Sequence, residues 1–330
     1  MSLNFGSGVE NVKITILSNN TTDATFQTDP KFKGKVIQPM RKVASAIAEH
    51  GLAMSIETNG MNILYDFGGL GFAILKNLEI LEIEPESFQK AILSHGHFDH
   101  FGALVKLLPL LGSGKEIILS PEVYKQKVVY LGQYGEIIDI KTLSENYSIF
   151  KEEQKVQELP ALKKNLLDNL IAENQQTCVE TEVPVELSPG IWTSGEIELS
   201  DESELTSNLF LKVDEMTYEK ETFRDENAIY IKVQNKGLIV LTGCGHTGIM
   251  NTIKYGQKIS GIDKIYAIIG GFHLNWSSNE HLDKVVKYFE ELKPEIICGM
   301  HCTGFKFNAK LLLKMPENAT LGVVGTTFNL

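Results

Sequence analysis

A mixed α/β fold, with layered sheets covered by helices, is what this sequence predicts, on three observations. Runs of apolar–polar alternation occupy its first part, as in Val12-Lys13-Ile14-Thr15-Ile16-Leu17. Strand and helix patterns alternate through its last third, from Ala228 onward. Between them lies Ser94-His95-Gly96-His97-Phe98-Asp99-His100, with four metal-ligand side chains packed into the span from His95 to His100. It follows the apolar Ala91-Ile92-Leu93 and precedes Phe101-Gly102-Ala103-Leu104-Val105-Lys106-Leu107-Leu108, which reads as strand, ligand-bearing turn, helix.

The elements follow in order. Val12–Leu17 is a strand, and Ser18-Asn19-Asn20-Thr21-Thr22-Asp23 is the polar loop after it. Ala53–Thr58 and Met61–Asp66 flank Asn59-Gly60, the strongest short hairpin signal, because the favoured turn needs positive φ at both central residues. Phe67-Gly68-Gly69 ends the hairpin and leads into a helix over about 71–80; Glu116–Leu119 is the next strand after the ligand turn. Residues from about 142 to 182 are charged and helix-prone, and Lys151-Glu152-Glu153-Gln154-Lys155 reads as a solvated helix or loop. A helical, charged insertion or lid is expected at about 142–225, within a single domain spanning 1–330; a surface helix without catalytic consequence is the alternative. Ala228–Val233 and Gly237–Thr242 form a hairpin around Gln234-Asn235-Lys236. A helix near 249–257, a strand at Lys264–Ile269, a helix at Asn279–Leu292, a strand at Glu295–Gly299, a helix near Asn308–Leu313 and a strand near Thr320–Val324 complete the chain.

With 330 residues, 43% of them hydrophobic, there is ample apolar material for a sizeable core. A net charge of -11 and a pI near 5.3 disfavour nucleic acid as the main partner, since phosphate binding shows a basic surplus. Met1-Ser2-Leu3-Asn4-Phe5-Gly6 has no basic segment followed by an apolar core, so no secretory signal is expected. No run approaches the ~18 apolar residues of a membrane span. Cys178, Cys244, Cys298 and Cys302 are too few and scattered for a disulfide framework, so reduced thiols and a cytoplasmic location are expected.

Imidazole with carboxylate suits zinc, iron or manganese. His95 and His97 can chelate one ion from a loop; Asp99 and His100 then point elsewhere, which favours a second ion close by. Three further histidines share one context, an apolar strand ending in a glycine-bearing turn. They are Leu241-Thr242-Gly243-Cys244-Gly245-His246, Ile269-Gly270-Gly271-Phe272-His273 and Ile297-Cys298-Gly299-Met300-His301. Ligands and catalytic groups gather at such strand ends. His246 and His301 are expected as metal ligands, and His273 as a ligand, a substrate-binding group or a proton shuttle. His281 is expected at the surface of a charged helix, and His50, before Gly51, is an ordinary helix-end histidine.

With these residues assembled, the chain resembles the metallo-β-lactamase-fold superfamily, whose hallmark H-x-H-x-D-H is His95, His97, Asp99 and His100 here. Asp66, ending an early strand in Tyr65-Asp66-Phe67-Gly68, fits the same pattern. Within the superfamily it resembles the 7,8-dihydropterin-6-methyl-4-(β-D-ribofuranosyl)aminobenzene-5'-phosphate synthase branch, the dihydropteroate-synthase-like group. That resemblance is carried by Glu49-His50-Gly51-Leu52, Thr242-Gly243-Cys244-Gly245-His246-Thr247-Gly248-Ile249, Gly270-Gly271-Phe272-His273-Leu274 and His301-Cys302-Thr303-Gly304. It implies a four-layer αββα sandwich with a one- or two-metal site at one edge of the two sheets. The ions would be divalent transition metals, zinc first and iron or manganese next, held by His95, His97, Asp99, His100, His246 and His301. Many two-metal members carry a bridging aspartate in a Thr-Gly-Asp turn; here that turn is Thr242-Gly243-Cys244, so either Cys244 or His246 is the substitute or only one site fills tightly. Asp225 in Asp225-Glu226-Asn227 is a further candidate ligand.

A metal there would polarise an oxygen of a small-molecule substrate and lower the pKa of a bound water. Asp99 and His273 are the candidate catalytic groups. Ester or phosphodiester hydrolysis and pterin C–N bond formation both need such a cation, so the fold does not choose between them. The competing classes are a non-enzymatic metal-dependent sensing protein and a nuclease of the same fold.

Overall fold

The computed structural model describes residues 3–39, 44–58, 60–130, 156–205, 209–214 and 217–330. Two sheets face each other. The first has eight strands, in the order Val36–Ile37, Thr327–Asn329, Lys13–Ser18, Ala53–Thr58, Met61–Tyr65, Lys90–Ile92, Glu116–Leu119 and Thr177–Glu180. Six strands make the second, in the order Glu186–Ser188, Ile191–Thr193, Ile229–Val233, Gly237–Thr242, Ile265–Gly271 and Ile296–Met300.

Three apolar clusters make this a four-layer αββα sandwich. One, with Ile14, Ile56, Ile63, Ile231, Ile239 and Ile269, lies between the sheets. A second joins the outer face of the six-stranded sheet to the helices Ile249–Ser260, Asn279–Leu292 and Phe305–Lys314. The third joins the outer face of the eight-stranded sheet to the helices Phe72–Leu81, Leu104–Leu111 and Lys164–Glu173. Fully burying an Ile or Phe contributes about 1.5–3 kcal/mol each, so these clusters fix which strand faces point inward.

Local chemistry sets the element ends. The hairpin pairs Thr58 with Met61, and Gly60 takes a φ of 75°, as its turn requires. Ser278 caps Asn279–Leu292 by accepting from the His281 N–H at 3.2 Å, and Gly261, left-handed at φ 66°, stops Ile249–Ser260.

Both sheets are antiparallel at one side and parallel at the other. Met61–Tyr65, Lys90–Ile92 and Glu116–Leu119 run parallel in the first, and Gly237–Thr242, Ile265–Gly271 and Ile296–Met300 in the second. Parallel strands send all their carboxyl ends to one edge, where loops can build a site. The sequence-predicted strand-end histidines sit at those ends.

The structure corrects three expectations. Thr320–Val324 is not a strand: Ala319 makes a single bridge to Ile297, and the chain bends at Gly325, φ 86°, before Thr327–Asn329 pairs with Lys13–Ser18. His50 does not end a helix, since residues 45–52 carry no helical assignment. The metal motif is not all turn, because His97 begins a short helix, Phe98–Phe101, that carries Asp99 and His100.

A third sheet, in the order Tyr218–Lys220, Leu209–Lys212, Lys127–Tyr130 and Val156–Glu158, was not foreseen. It draws strands from the region read as an insertion or lid. The expected charged helix or loop at 151–155 lies outside the described residues. No helix among the described residues is long and apolar enough to cross a membrane.

Candidate metal centre

The sandwich edge brings together His95, His97, Asp99, His100, His246 and His301, contributed from three separate parts of the chain. His95 Nε2 faces His97 Nδ1 at 3.0 Å, and the His246 ring lies 4.9 Å from that of His95 and 4.7 Å from that of His97. On the other side, His100 Nε2 stands 3.2 Å from His301 Nε2, which in turn lies 3.1 Å from Asp99 Oδ2. Cys244 joins the halves: its Sγ is 3.1 Å from His100 Nε2, and its ligand atom lies within 4.8 Å of those of Asp99, His100 and His301 and, separately, of His95 and His246. The substituted turn therefore places sulfur where the two donor sets meet.

Each ligand-bearing turn is held from behind. The Asp66 carboxylate accepts from the Ser94 backbone N–H at 2.7 Å and the Ser94 hydroxyl at 2.8 Å, and it meets His100 Nδ1 at 2.7 Å. That contact presents His100 Nε2 to the cluster. Asn20 Oδ1 lies 2.9 Å from His301 Nδ1 and does the same for that ring. Glu226 accepts from the His246 and Thr247 backbone N–H groups, each at 2.7 Å, which fixes the loop carrying His246. Gly243 is required because a Cβ there would stand 2.2 Å from Ser94 Oγ, so the two ligand turns touch. Asp66, His273 and His301 all have positive φ, at 63°, 46° and 53°. Such strained backbone persists only where surrounding contacts over-determine it.

The electrostatics separate the two donor sets. Burial pushes the His95 and His246 imidazoles well below their ordinary value, and burial with Lys127 nearby brings His97 down to about 3. These rings are neutral and present lone pairs. Burial alone would lift Asp99, but the His100, His301 and His50 rings overcome it and hold the carboxylate well below its usual range. Burial also opposes a charge on His100, yet Asp66 and Asp99 outweigh it and raise the ring to about 9. Burial and the adjacent Cys302 drive the Cys244 thiol upward, so a cation is what would make it a thiolate.

Two buried ring nitrogens, His97 Nε2 and His273 Nδ1, have no hydrogen-bond partner among the described residues. Buried polar atoms are normally satisfied. Imidazole nitrogens facing one another at 3.0–3.2 Å, the neutral His95 and His97 among them, stand beside an ionised carboxylate and a thiol and form one compact donor set. That set fits one or two divalent transition metals in ligand type and in spacing.

Other predicted residues fall elsewhere. Asp225 is outside the donor set: its Oδ2 accepts from Lys127 Nζ at 2.6 Å and the Gly96 N–H at 2.8 Å, a buried ion pair beneath His97. His273 lines the cavity with its ring 4.0 Å from that of His246, and its ligand atom groups with Cys244 and Cys302. His281 is distant, on the first turn of its helix beside Glu204. Cys298 packs in the inter-sheet core.

Some site residues were not singled out from sequence. His50 Nε2 lies 3.3 Å from Asp99 Oδ2, whose hydrogen bond raises its pKa. Asn20, Cys302, Trp276 and Phe305 line the cavity, of about 320 Å³, in front of the cluster. The polar Asn19-Asn20 at a strand end and the Cys next to His301 were available signals. Phe223, stacked on His246 at 4.4 Å, left no signal in its charged surroundings.

The chain belongs to the metallo-beta-lactamase superfamily, whose family model matches residues 48–142. Along most of its length it is similar to the 7,8-dihydropterin-6-methyl-4-(beta-D-ribofuranosyl)-aminobenzene-5'-phosphate synthase of Methanocaldococcus jannaschii, at 33% identity over 82% of this chain and 86% of that protein. An uncharacterized protein of the same organism is 30% identical over 84% of this chain and 92% of its own. The crystal structure of Tm1679, a metal-dependent hydrolase of the beta-lactamase superfamily, superposes with a TM-score of 0.69 at 24% identity, covering 97% of this chain and 99% of that one. It shows the fold.

Proposed function

We propose that this chain is a metal-dependent enzyme acting on a phosphorylated or ester-bearing small molecule, with pterin-related chemistry as its particular form. One observation supports it above the others: buried imidazoles from the front and back of the chain converge, together with Asp99, on a shared cysteine. On this reading His95, His97 and His246 would hold one ion and Asp99, His100 and His301 another, with Cys244 within reach of both donor groups. Zinc is the first choice, iron or manganese the next. A divalent ion there supplies Lewis-acid polarisation of a phosphoryl or carbonyl oxygen and acidifies a water.

The chain's own groups do the rest. Asp99, 20% exposed at its side chain and held ionised, faces the cavity and is placed to orient a water or accept its proton. His50 and His301, in contact with that carboxylate, keep it directed inward. His273, on the cavity wall, is placed to hand a proton to a leaving group. Phe223, stacked on the His246 ring, fixes that ring within what we read as a single domain.

The name of the relative that is 33% identical favours the synthase form, in which a pterin pyrophosphate loses its pyrophosphate as an aromatic amine attacks. Hydrolysis uses the same groups with water as the nucleophile. Incubating metal-loaded protein with a pterin pyrophosphate plus an aminobenzoate-type amine, and separately with a chromogenic phosphodiester, distinguishes them. Purified protein without stoichiometric transition metal would overturn the whole reading. A cytoplasmic location goes with it, and recovery from a membrane or secreted fraction would contradict that part.

A further inference from the structure

The cavity's mouth carries two large aromatic side chains that the fold does not use. Trp276 is 64% exposed and Phe305 86% exposed, and both line the cavity whose floor is the donor cluster. Their loops are held in place. The Ser277 N–H donates to Leu274 O at 3.1 Å, closing a turn around Trp276, and Phe305 opens the helix Phe305–Lys314. Gly304, φ 82°, presses on Asn275 so closely that a Cβ would stand 2.4 Å from Asn275 Oδ1. The two rings are thus presented from adjacent, locked loops.

A stepwise path of rings leads from the floor to this mouth. The His246 ring lies 4.0 Å from that of His273, and the His273 ring 5.4 Å from that of Trp276. His273 Nδ1 is buried on that path without a hydrogen-bond partner. The site therefore changes character over a short distance, from a donor-rich floor that would take an anion through its metal, through one unpartnered ring nitrogen, to apolar π surface.

Resting on the reading of the site as a metal centre for phosphate or ester groups, we infer that Trp276 and Phe305 form a stacking platform for a flat heteroaromatic ring. The ligand class is a ring joined by a short linker to a phosphate or pyrophosphate. The ring lies on Trp276 and Phe305, the anionic end reaches the floor, and His273 Nδ1 meets a polar atom between them. Aliphatic phosphates would use the floor alone. Stacking of a base on an aromatic side chain is sequence-tolerant and strong enough to move affinity by about tenfold or more per ring.

The test is calorimetric titration of full-length protein, metal-loaded and metal-stripped, with three probes: 6-hydroxymethylpterin, its phosphate ester and glycerol 3-phosphate. Trp276→Ala and Phe305→Ala are expected to weaken both pterin probes by about tenfold each. Trp276→Phe should restore most of the loss, and glycerol 3-phosphate should bind all variants alike. Metal removal should weaken the two phosphates and spare the unphosphorylated pterin. Equal binding of 6-hydroxymethylpterin to wild type and both alanine variants, or its failure to bind wild type, would overturn the platform. Phosphate binding indifferent to metal would instead overturn the metal-centre reading beneath it. Both residues are exposed, so the variants are expected to fold with wild-type metal content, which metal analysis checks.

Discussion

Directly behind the floor of the cavity Ser94, His95, His100 and Asp66 are fully buried, and each is tied to its neighbours by hydrogen bonds of 2.7–3.4 Å. At the mouth, Trp276 and Phe305 are mostly exposed, and the His50 side chain is 69% exposed. The floor is over-determined: a misplaced atom there leaves a buried polar group unsatisfied, at a cost of about 1–3 kcal/mol. The mouth is positioned by its backbone, and its side chains can change without breaking anything behind them. On the proposed reading, floor residues set the chemistry and mouth residues set which molecule reaches it.

Substitutions at the floor should have the largest effects. His97→Ala is expected to lose stoichiometric metal and to reduce activity by more than about a hundredfold, read by metal analysis alongside turnover. If it retains full metal content, the floor is not the metal site. Asp66→Asn keeps the shape but no longer offers two acceptor oxygens to Ser94 and His100, and metal affinity is expected to fall by about 10–100-fold. Competition with a coloured chelator measures it, and unchanged affinity would mean that His100 is positioned without Asp66.

Cys244→Asp sharpens the comparison within the floor. Carboxylate should replace thiolate between the donor sets, so metal content persists while the cobalt-substituted protein loses its sulfur-to-metal absorption. A band that survives would place the sulfur ligand elsewhere, with Cys302 the nearest thiol.

The smallest effect concerns the buried charges behind His97. Burial, reinforced by Asp225, lifts Glu221 to about 7, and one of its oxygens is buried without a hydrogen-bond partner among the described residues. The folded state thus holds this proton more tightly than the unfolded chain, where the ordinary value is 4.5. The resulting stabilisation is fully present below that value and lost as pH rises through about 7. Glu221→Gln should gain on wild type by about 1–3 kcal/mol between pH 5 and pH 8 in denaturant titrations. A pH-independent difference would show that the carboxyl ionises normally.

Much of the floor was legible in the sequence because it is local or repetitive. His95 to His100 lie in one stretch, and His246, His273 and His301 repeat one device, an apolar strand running into glycines. Strand periodicity and the Asn59-Gly60 pair signalled the hairpin, and the structure pairs Thr58 with Met61. Thr320–Val324 misled because its apolar run satisfies strand pattern while its backbone bends away from the ladder. Asp225 misled because sequence cannot show that Lys127, far upstream, occupies its oxygen. His50 looked ordinary beside Gly51, and only its approach to Asp99 gives it a part in the site.

The sequence by itself determined which side chains are candidate metal ligands, which strands deliver them, and that layered sheets covered by helices carry those strands, since these follow from residue type and periodicity along the chain; the four-layer sandwich was what the family resemblance implied. Only the tertiary structure decided that Cys244 lies between the two donor sets, that Asp66 and Asn20 aim the rings, and that Trp276 and Phe305 share one opening. The reason is geometric: donor spacing and cavity walls arise where loops from strands far apart in sequence meet at one sheet edge, and no local pattern encodes the distance between them.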